Sequence, residues 1–222
     1  MKKAYDFLIV GGGIMGINIA RVLNSRYPEV KVGIIEKEST IGFHASGRNS
    51  GVLHAGFYYS AESLKAKFAR EGNKAMREYC ESRKLPINSC GKVVVAVNDE
   101  DLPGIHELKR RGDKNKIALQ WADQKQVAAI DPAIKFYKKA LYSPTTATVD
   151  PLIVCKNMVK ELAENGVDIE YEEKYVKRSA EGIVTNKREI KAKTIINTAG
   201  LYADRIAQDY GYGTKYALLP FK

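Results

Sequence analysis

The stretch from Tyr5 to Glu36 limits this chain's possible folds more than any other. An apolar run, Tyr5-Asp6-Phe7-Leu8-Ile9-Val10, enters Gly11-Gly12-Gly13-Ile14-Met15-Gly16. A run with helical periodicity continues to Ser25, and Lys31-Val32-Gly33-Ile34-Ile35 closes on Glu36. The order is strand, glycine turn, helix, strand, acid. Gly11, Gly13 and Gly16 satisfy G-x-G-x-x-G, and Glu36 lies twenty residues past the last of them, the register of a dinucleotide-binding βαβ unit. Each position has a physical task. Gly11 turns the chain tightly off the strand, Gly13 lets backbone approach a pyrophosphate, and Gly16 lets the helix pack close to the strand. The helix N-terminus offers unpaired N–H groups and partial positive charge to phosphate. Glu36 can accept from ribose hydroxyls and would repel a 2′-phosphate, which argues against NADP.

The first helix is expected to bury Ile14, Ile17, Ile19, Ala20, Val22 and Leu23 and to stop at Tyr27-Pro28. Val32 to Ile35 reads as a parallel strand covered on both faces. The 222 residues are 45% hydrophobic and 28% charged, enough for one large domain or two small ones. The formal charge of +10 is spread along both halves with acids interleaved, without an aromatic-interleaved basic stripe, so nucleic acid is not an expected partner. Weak attraction to an anionic membrane or an acidic substrate remains compatible with that charge. Cys80, Cys90 and Cys155 form no C-x-x-C, and His44, His54 and His106 lack ligand spacing, so neither a disulfide framework nor a metal site is expected. No stretch reaches the length of a membrane span, and the reading is of a cytoplasmic protein.

From Ser39 to Tyr59 the sequence is rich in glycine and small polar residues and carries Arg48, His44 and His54. It fits neither helix nor strand, and a loop so long, directly after a nucleotide fingerprint, suggests a wall for a second part of a cofactor or for substrate. Beyond it, helices are expected over 63–84, 104–112, 124–130 and 151–165. The last is framed by Asp150 as N-cap, Pro151 at the first position and Gly166 beyond its end. Strands are expected over 85–97, 140–142 (an edge), 167–171 and 175–178, with a hairpin from 182–184 and 189–192. A separate strand over 194–200 then enters a second glycine turn ahead of a helix from about Tyr202. The closing run Leu218-Leu219-Pro220-Phe221-Lys222 is expected to be a cut rather than a natural stop.

Several of these stretches are similar to a known family. Asp6 to Gly16 with Glu36-Lys37 resembles the FAD-dependent oxidoreductases of the D-amino-acid oxidase superfamily. Ser46-Gly47-Arg48-Asn49-Ser50-Gly51-Val52-Leu53-His54-Ala55-Gly56 resembles the signature of the L-2-hydroxyglutarate dehydrogenase/oxidase family within it. Tyr79-Cys80 through Cys90-Gly91-Lys92, Ser143 to Asp150, and Asn197 to Asp204 match in the same order. The first motif implies only FAD; the blocks from Arg48 to Gly56 and from Ala199 to Asp204 are more selective.

The resemblance implies oxidation of a 2-hydroxy acid, 2-hydroxyglutarate first, by hydride transfer to flavin, with a base taking the hydroxyl proton. Oxygen or a membrane quinone would accept the electrons, with peripheral contact at the inner face of the membrane. His54 is the first candidate base and His44 the second. Arg48 would meet a substrate carboxylate or a cofactor phosphate. For FAD, the resemblance implies Gly11, Gly13, Gly16, Glu36 and Lys37 at the ADP half. It puts Ser46, Arg48, Asn49, Ser50 and Gly51 toward the pyrophosphate and flavin, backbone of Val176 at adenine, and Ala199 and Gly200 near the phosphates. The implied fold is α/β: a Rossmann-like FAD-binding domain from residues 1–85 and 146–215. Residues 86–145 and 216–222 would form an inserted, incomplete α+β substrate domain, because family members continue past this point. A glycerol-3-phosphate or amino-acid oxidase of the same superfamily, and a non-catalytic remnant, stay open as alternatives.

Overall fold

The computed structural model describes residues 4–220. In chain order the strand β1 (Ala4–Val10) leads to α1 (Ile14–Arg26) and β2 (Val32–Ile35). Turns occupy the stretch to β3 (Val52–Leu53), followed by α2 (Leu64–Ser82), β4 (Ile87–Asn88), β5 (Lys92–Val95) and α3 (Leu102–Lys114). Then come β6 (Gln120–Ala122), α4 (Gln124–Ile130), β7 (Ala140–Ser143), β8 (Ala147–Val149) and α5 (Pro151–Glu164). The chain ends with β9 (Asp168–Glu170), β10 (Tyr175–Ser179), β11 (Gly182–Thr185), β12 (Glu189–Asn197) and α6 (Ala203–Asp209). These elements form two compact units, one up to Asn49 and from Pro151, the other Ser50–Asp150.

The first unit is built on a six-stranded sheet in the order β10-β11-β12-β1-β2-β9. β12, β1, β2 and β9 run parallel, while β10 and β11 attach as an antiparallel hairpin. Burial explains the composition of the parallel strands: all four residues of β2 are buried, and Leu8, Ile9 and Val10 of β1 are at most 5% exposed. Gly33 is required there, since a Cβ would stand 2.6 Å from the Tyr5 ring. On one side of the sheet Tyr5, Leu8, Val10 and Ile35 pack with Ile183, Ile190 and Ile206. The register sets Val10 beside both Ile35 and Asn197, so three parallel strands end in one row. That row, where the order turns back on itself around β1, is where open α/β sheets bind ligands.

The second unit holds two three-stranded antiparallel sheets, β3-β8-β4 and β5-β7-β6. Its core joins Ala55, Phe57, Ala96, Ile105, Ile117, Leu119 and Leu141. Here the observed boundaries differ from those expected: residues 50–85 and 146–150 group with 86–145. The polar contacts give the reason. Asn73 Nδ2 of α2 donates to the carbonyls of Leu53 and Thr145 at 2.8 and 3.0 Å, and Arg111 Nη1 donates to the Tyr58 carbonyl at 2.9 Å.

Three strand expectations change. The run 85–97 is two short strands in different sheets, broken at Gly91, whose φ of 72° places a would-be Cβ 2.4 Å from the Tyr142 ring. β7 is a central strand rather than an edge, pairing with β5 on one side and β6 on the other. β12 merges the second hairpin strand with the strand expected over 194–200. One continuous segment pairs with β11 through its first residues and with β1 along its length.

Candidate functional site

At the carboxyl ends of β1, β2 and β12 the first unit encloses a cavity of about 920 Å³. Among the expected site residues, Gly11, Gly13, Glu36, Lys37, His44, Ser46, Asn49, Val176, Ala199 and Gly200 line it.

The glycines behave as their spacing requires. Gly11 has a φ of 116°, and a Cβ there would stand 2.6 Å from the Thr198 carbonyl oxygen. Its N–H donates to the Ile35 carbonyl at 2.9 Å, which locks the turn to the neighbouring strand. Gly16 does not line the cavity; it lets α1 press against the turn, with a would-be Cβ 2.2 Å from the Gly11 carbonyl oxygen. The Thr198 hydroxyl, which sequence spacing did not single out, reaches the carbonyls of Val10 and Gly11 at 3.0 Å each. The second glycine turn therefore grips the first.

The first turn of α1 has no side-chain cap from its own N-cap residue, Gly13. Ser46 reaches in from the following loop, and its Oγ accepts from the Ile14 N–H at 2.9 Å. The N–H groups of Gly13 and Met15 meet no acceptor among the described residues, leaving the donors and dipole of the helix directed at the cavity. Glu36 is 7% exposed. One carboxylate oxygen accepts from the Gly12 N–H at 2.8 Å and the other from the Glu38 N–H at 2.9 Å. A carboxylate has about four acceptor sites, so capacity for hydroxyl donors remains.

The loop after β2 is a series of turns folded against α1, with the Gly42 N–H donating to the Gly12 carbonyl at 3.1 Å. His44 stands on its exposed rim with Nε2 2.8 Å from Glu38 Oε1 and 3.0 Å from Lys37 Nζ. Lys37 also pairs with Glu38, and these contacts hold the Glu38 carboxyl below the usual carboxylate range. Lys37 Nζ lies 5.1 Å from the centre of the Tyr202 ring, a residue of the cavity wall that sequence reading did not place there. Arg48 is turned onto the Phe43 ring, 4.4 Å from its centre, and does not itself line the cavity. Asn49 Nδ2 donates to the carbonyls of Ala45 and Ser46.

The remaining expected residues lie in the second unit. Ser50 is exposed, and Gly51 (φ 65°) uses its carbonyl to accept from the Val149 N–H at 2.9 Å. His54 follows β3 and is exposed. Partial burial, and then the charge of Lys92, hold its imidazole below the ordinary value. Lys92 Nζ sits 4.8 Å over the Tyr58 ring, and among the described residues it has no acidic partner.

The far wall of the cavity includes Glu173, Lys174 and Tyr175. Glu173 is 1% exposed, and its N–H donates to the Glu36 carbonyl at 2.9 Å. No sequence signal marks Glu173, because its partners come from a hairpin further along the chain. Among the described residues no group of His, Cys, Asp and Glu is placed to hold a metal ion, and no helix is long and apolar enough to cross a membrane.

The residues fit the adenosine diphosphate part of a dinucleotide. Helix donors, a backbone without Cβ at Gly13 and an acid with spare acceptor sites converge on one cavity of ligand size.

Comparison with known proteins agrees with this geometry. The family model described as "FAD dependent oxidoreductase" matches residues 6–222. The chain is 35% identical to the mitochondrial L-2-hydroxyglutarate dehydrogenase of Nematostella vectensis, covering 100% of this chain and 52% of that protein. It is 33% identical to the L-2-hydroxyglutarate dehydrogenase of Escherichia coli K12, covering 98% of this chain and 53% of that one. The chain thus spans about half the length of these curated relatives. Among solved structures it is similar to the dithionite-reduced L-alpha-glycerophosphate oxidase of Mycoplasma pneumoniae with FAD bound. The TM-score is 0.82 at 27% identity, over 93% of this chain and 56% of that one.

Proposed function

The chain belongs to the FAD-dependent oxidoreductase family, and from that premise we propose that it serves the oxidation of a 2-hydroxy acid, L-2-hydroxyglutarate, to the 2-oxo acid. The observation that carries the cofactor side is the cavity at the strand ends, where Glu36 and the first turn of α1 face the same space. The substrate side is supported by the collinear similarity to L-2-hydroxyglutarate dehydrogenases across the chain.

In this reading Glu36 holds ribose hydroxyls, the N-terminal N–H groups of α1 meet the pyrophosphate, and Ser46 orients that helix end. Lys37 and the Val176 backbone border the adenosine, and Ala199 and Gly200 keep the second turn close to the phosphates. Arg48, Asn49, Ser50 and Gly51 form the segment leading toward the flavin. When bound, FAD supplies the acceptor for the hydride from C2 of the substrate.

His54 takes the hydroxyl proton. Its lowered pKa keeps the imidazole unprotonated at neutral pH, the form a base needs. His44 is less suited, because its Nε2 is committed to Glu38 and Lys37. Arg48 offers a guanidinium for the substrate carboxylate. Electrons leave to oxygen or to a membrane quinone, with peripheral contact at the membrane face.

The test is anaerobic mixing of the flavin-loaded protein with L-2-hydroxyglutarate, glycerol 3-phosphate and amino acids in turn. Bleaching of the flavin absorbance by L-2-hydroxyglutarate is the expected result. Bleaching only by glycerol 3-phosphate or an amino acid would move the protein to another branch of the superfamily, and bleaching by none would refute the oxidase reading. Reoxidation in air against reoxidation by a quinone analogue then separates the acceptors.

A further inference from the structure

Three carboxylates line the cavity that faces an anionic cofactor: Glu36, Glu173 and Asp209. Each is compensated differently. Glu36 uses backbone N–H groups, and Asp209 takes the Tyr175 hydroxyl and the Arg178 N–H. Glu173 has a side chain with no exposed surface, and it is met by a full positive charge from elsewhere in the fold.

That charge is Arg188, in the turn between β11 and β12. Its Nε lies 3.0 Å from Glu173 Oε1 and its Nη2 2.9 Å from Oε2, a two-point clasp. The Thr185 hydroxyl lies 2.9 Å from Glu173 Oε1 and also 2.9 Å from the Arg188 carbonyl, so the turn and the carboxylate share it. Arg188 Nη2 lies 3.3 Å from Glu170 of β9 as well. At Glu173 the backbone is tied to the segment that follows β2. The Glu172 N–H donates to the Glu38 carbonyl at 3.0 Å and the Glu173 N–H to the Glu36 carbonyl at 2.9 Å. The next residues, Lys174, Tyr175 and Val176, are cavity wall.

We propose that Arg188, without touching the cofactor, is a positioning residue for its adenosine half. By clasping buried Glu173 it holds the Lys174–Val176 wall in register with Glu36. A buried carboxylate stripped of its cation must take up a proton, which breaks the charged network, or move toward water, and the open space beside Glu173 is the cavity itself. The movement carries the wall with it and adds negative charge where the pyrophosphate-bearing ligand must enter. Arg188 is only partly covered, so the anion that it compensates, and not the guanidinium's own burial, sets the consequence.

The inference rests on the cofactor site read above and is tested on the same protein by titration with FAD and with ADP, followed by fluorescence or calorimetry. Arg188→Gln is expected to weaken both ligands roughly tenfold or more. The double variant Glu173→Gln/Arg188→Gln, which leaves two neutral amides, is expected to return affinity to within about threefold of the parent. Arg188→Lys, which keeps the charge, is expected to fall between them. A merely structural arginine would give a different pattern: lost affinity without rescue by Glu173→Gln, or unchanged affinity throughout. Either of these overturns the inference. Should Arg188→Gln not fold, the double variant still decides: weak binding by a folded double variant refutes the charge argument, and parent-like binding supports it. If the parent protein itself binds neither ligand, the cofactor reading fails first, a result distinct from binding that is indifferent to Arg188.

Discussion

Replacing Gly16 with alanine is the sharpest test of how the fingerprint shapes the site. In an open helix the change stabilises by about 1 kcal/mol, because alanine loses less backbone entropy than glycine on folding. At Gly16 a Cβ would stand 2.2 Å from the Gly11 carbonyl oxygen, 2.8 Å from Thr198 Oγ1 and 3.1 Å from Ile9 Cγ2. None of these can give easily. The Gly11 N–H is bound to the Ile35 carbonyl, the Thr198 hydroxyl to the Val10 and Gly11 carbonyls, and Ile9 is wholly buried. Relief requires α1 to back away from the strand, and overpacking of this kind costs about 1–3 kcal/mol. The steric cost offsets or outweighs the entropy gain, for a net loss of up to about 2 kcal/mol and a fall in melting temperature of up to roughly 8 °C. Because the displaced end of α1 is the one facing the cavity, FAD affinity should fall with it. Gly72, on the exposed face of α2, is the matched control: a Cβ there meets nothing within 4 Å, so Gly72→Ala should stabilise by about 0.5–1 kcal/mol. Urea denaturation of the two variants beside the parent measures both. A Gly16→Ala midpoint above that of the parent, as the entropy gain alone would give, would refute close packing at this position.

Other perturbations follow from the same geometry. Ser46→Ala removes the acceptor for the Ile14 N–H and should cost about 1 kcal/mol in denaturant stability, with weaker FAD binding because the helix end loses its anchor. For His54, burial and Lys92 lower the pKa, so the neutral form is kept as pH falls through 6.5 and is lost only below that value. The acid limb of kcat/KM for the flavin-loaded enzyme should therefore lie below pH 6.5. Lys92→Met should move it upward; a limb that stays in place would remove Lys92 from the base's surroundings. Asp123→Ala in the capping box of α4, where Asp123 and Gln126 exchange hydrogen bonds at 2.8 and 2.9 Å, should lower stability by about 1 kcal/mol and leave FAD affinity unchanged.

What the sequence disclosed was set by how local each constraint is. The turn at Gly11 and the close approach at Gly16 are conditions on one residue's backbone, so their spacing alone located β1, α1, β2 and the buried acid Glu36. The same holds for α5, with Pro151 as its first residue and Gly166 (φ 82°) just past its end. The short strands were hidden, because β3 exists only through pairing of Val52 with Thr148 and Leu53 with Ala147 of β8, partners from opposite ends of their unit. β7 looked like an edge for the same reason: helices separate it in sequence from both β5 and β6. In the site, the first glycine turn and Ser46 were legible, but the Thr198 grip, the Tyr202 wall and the Glu173–Arg188 clasp were not. Each joins residues whose identity says nothing until the sheet brings them together. The expected association of residues 50–85 with the cofactor domain followed sequence adjacency, whereas Asn73 and Arg111 tie that segment to the second unit.

Everything proposed for this chain depends on the cavity at the ends of β1, β2 and β12 holding the adenosine diphosphate part of FAD. Titration of the purified protein with FAD, repeated in the presence of ADP, tests this most directly. Saturable binding of one FAD per chain that ADP competes away, and that Glu36→Gln weakens, is the predicted result. Flavin that fails to bind, or that binds with no competition from ADP, would contradict it.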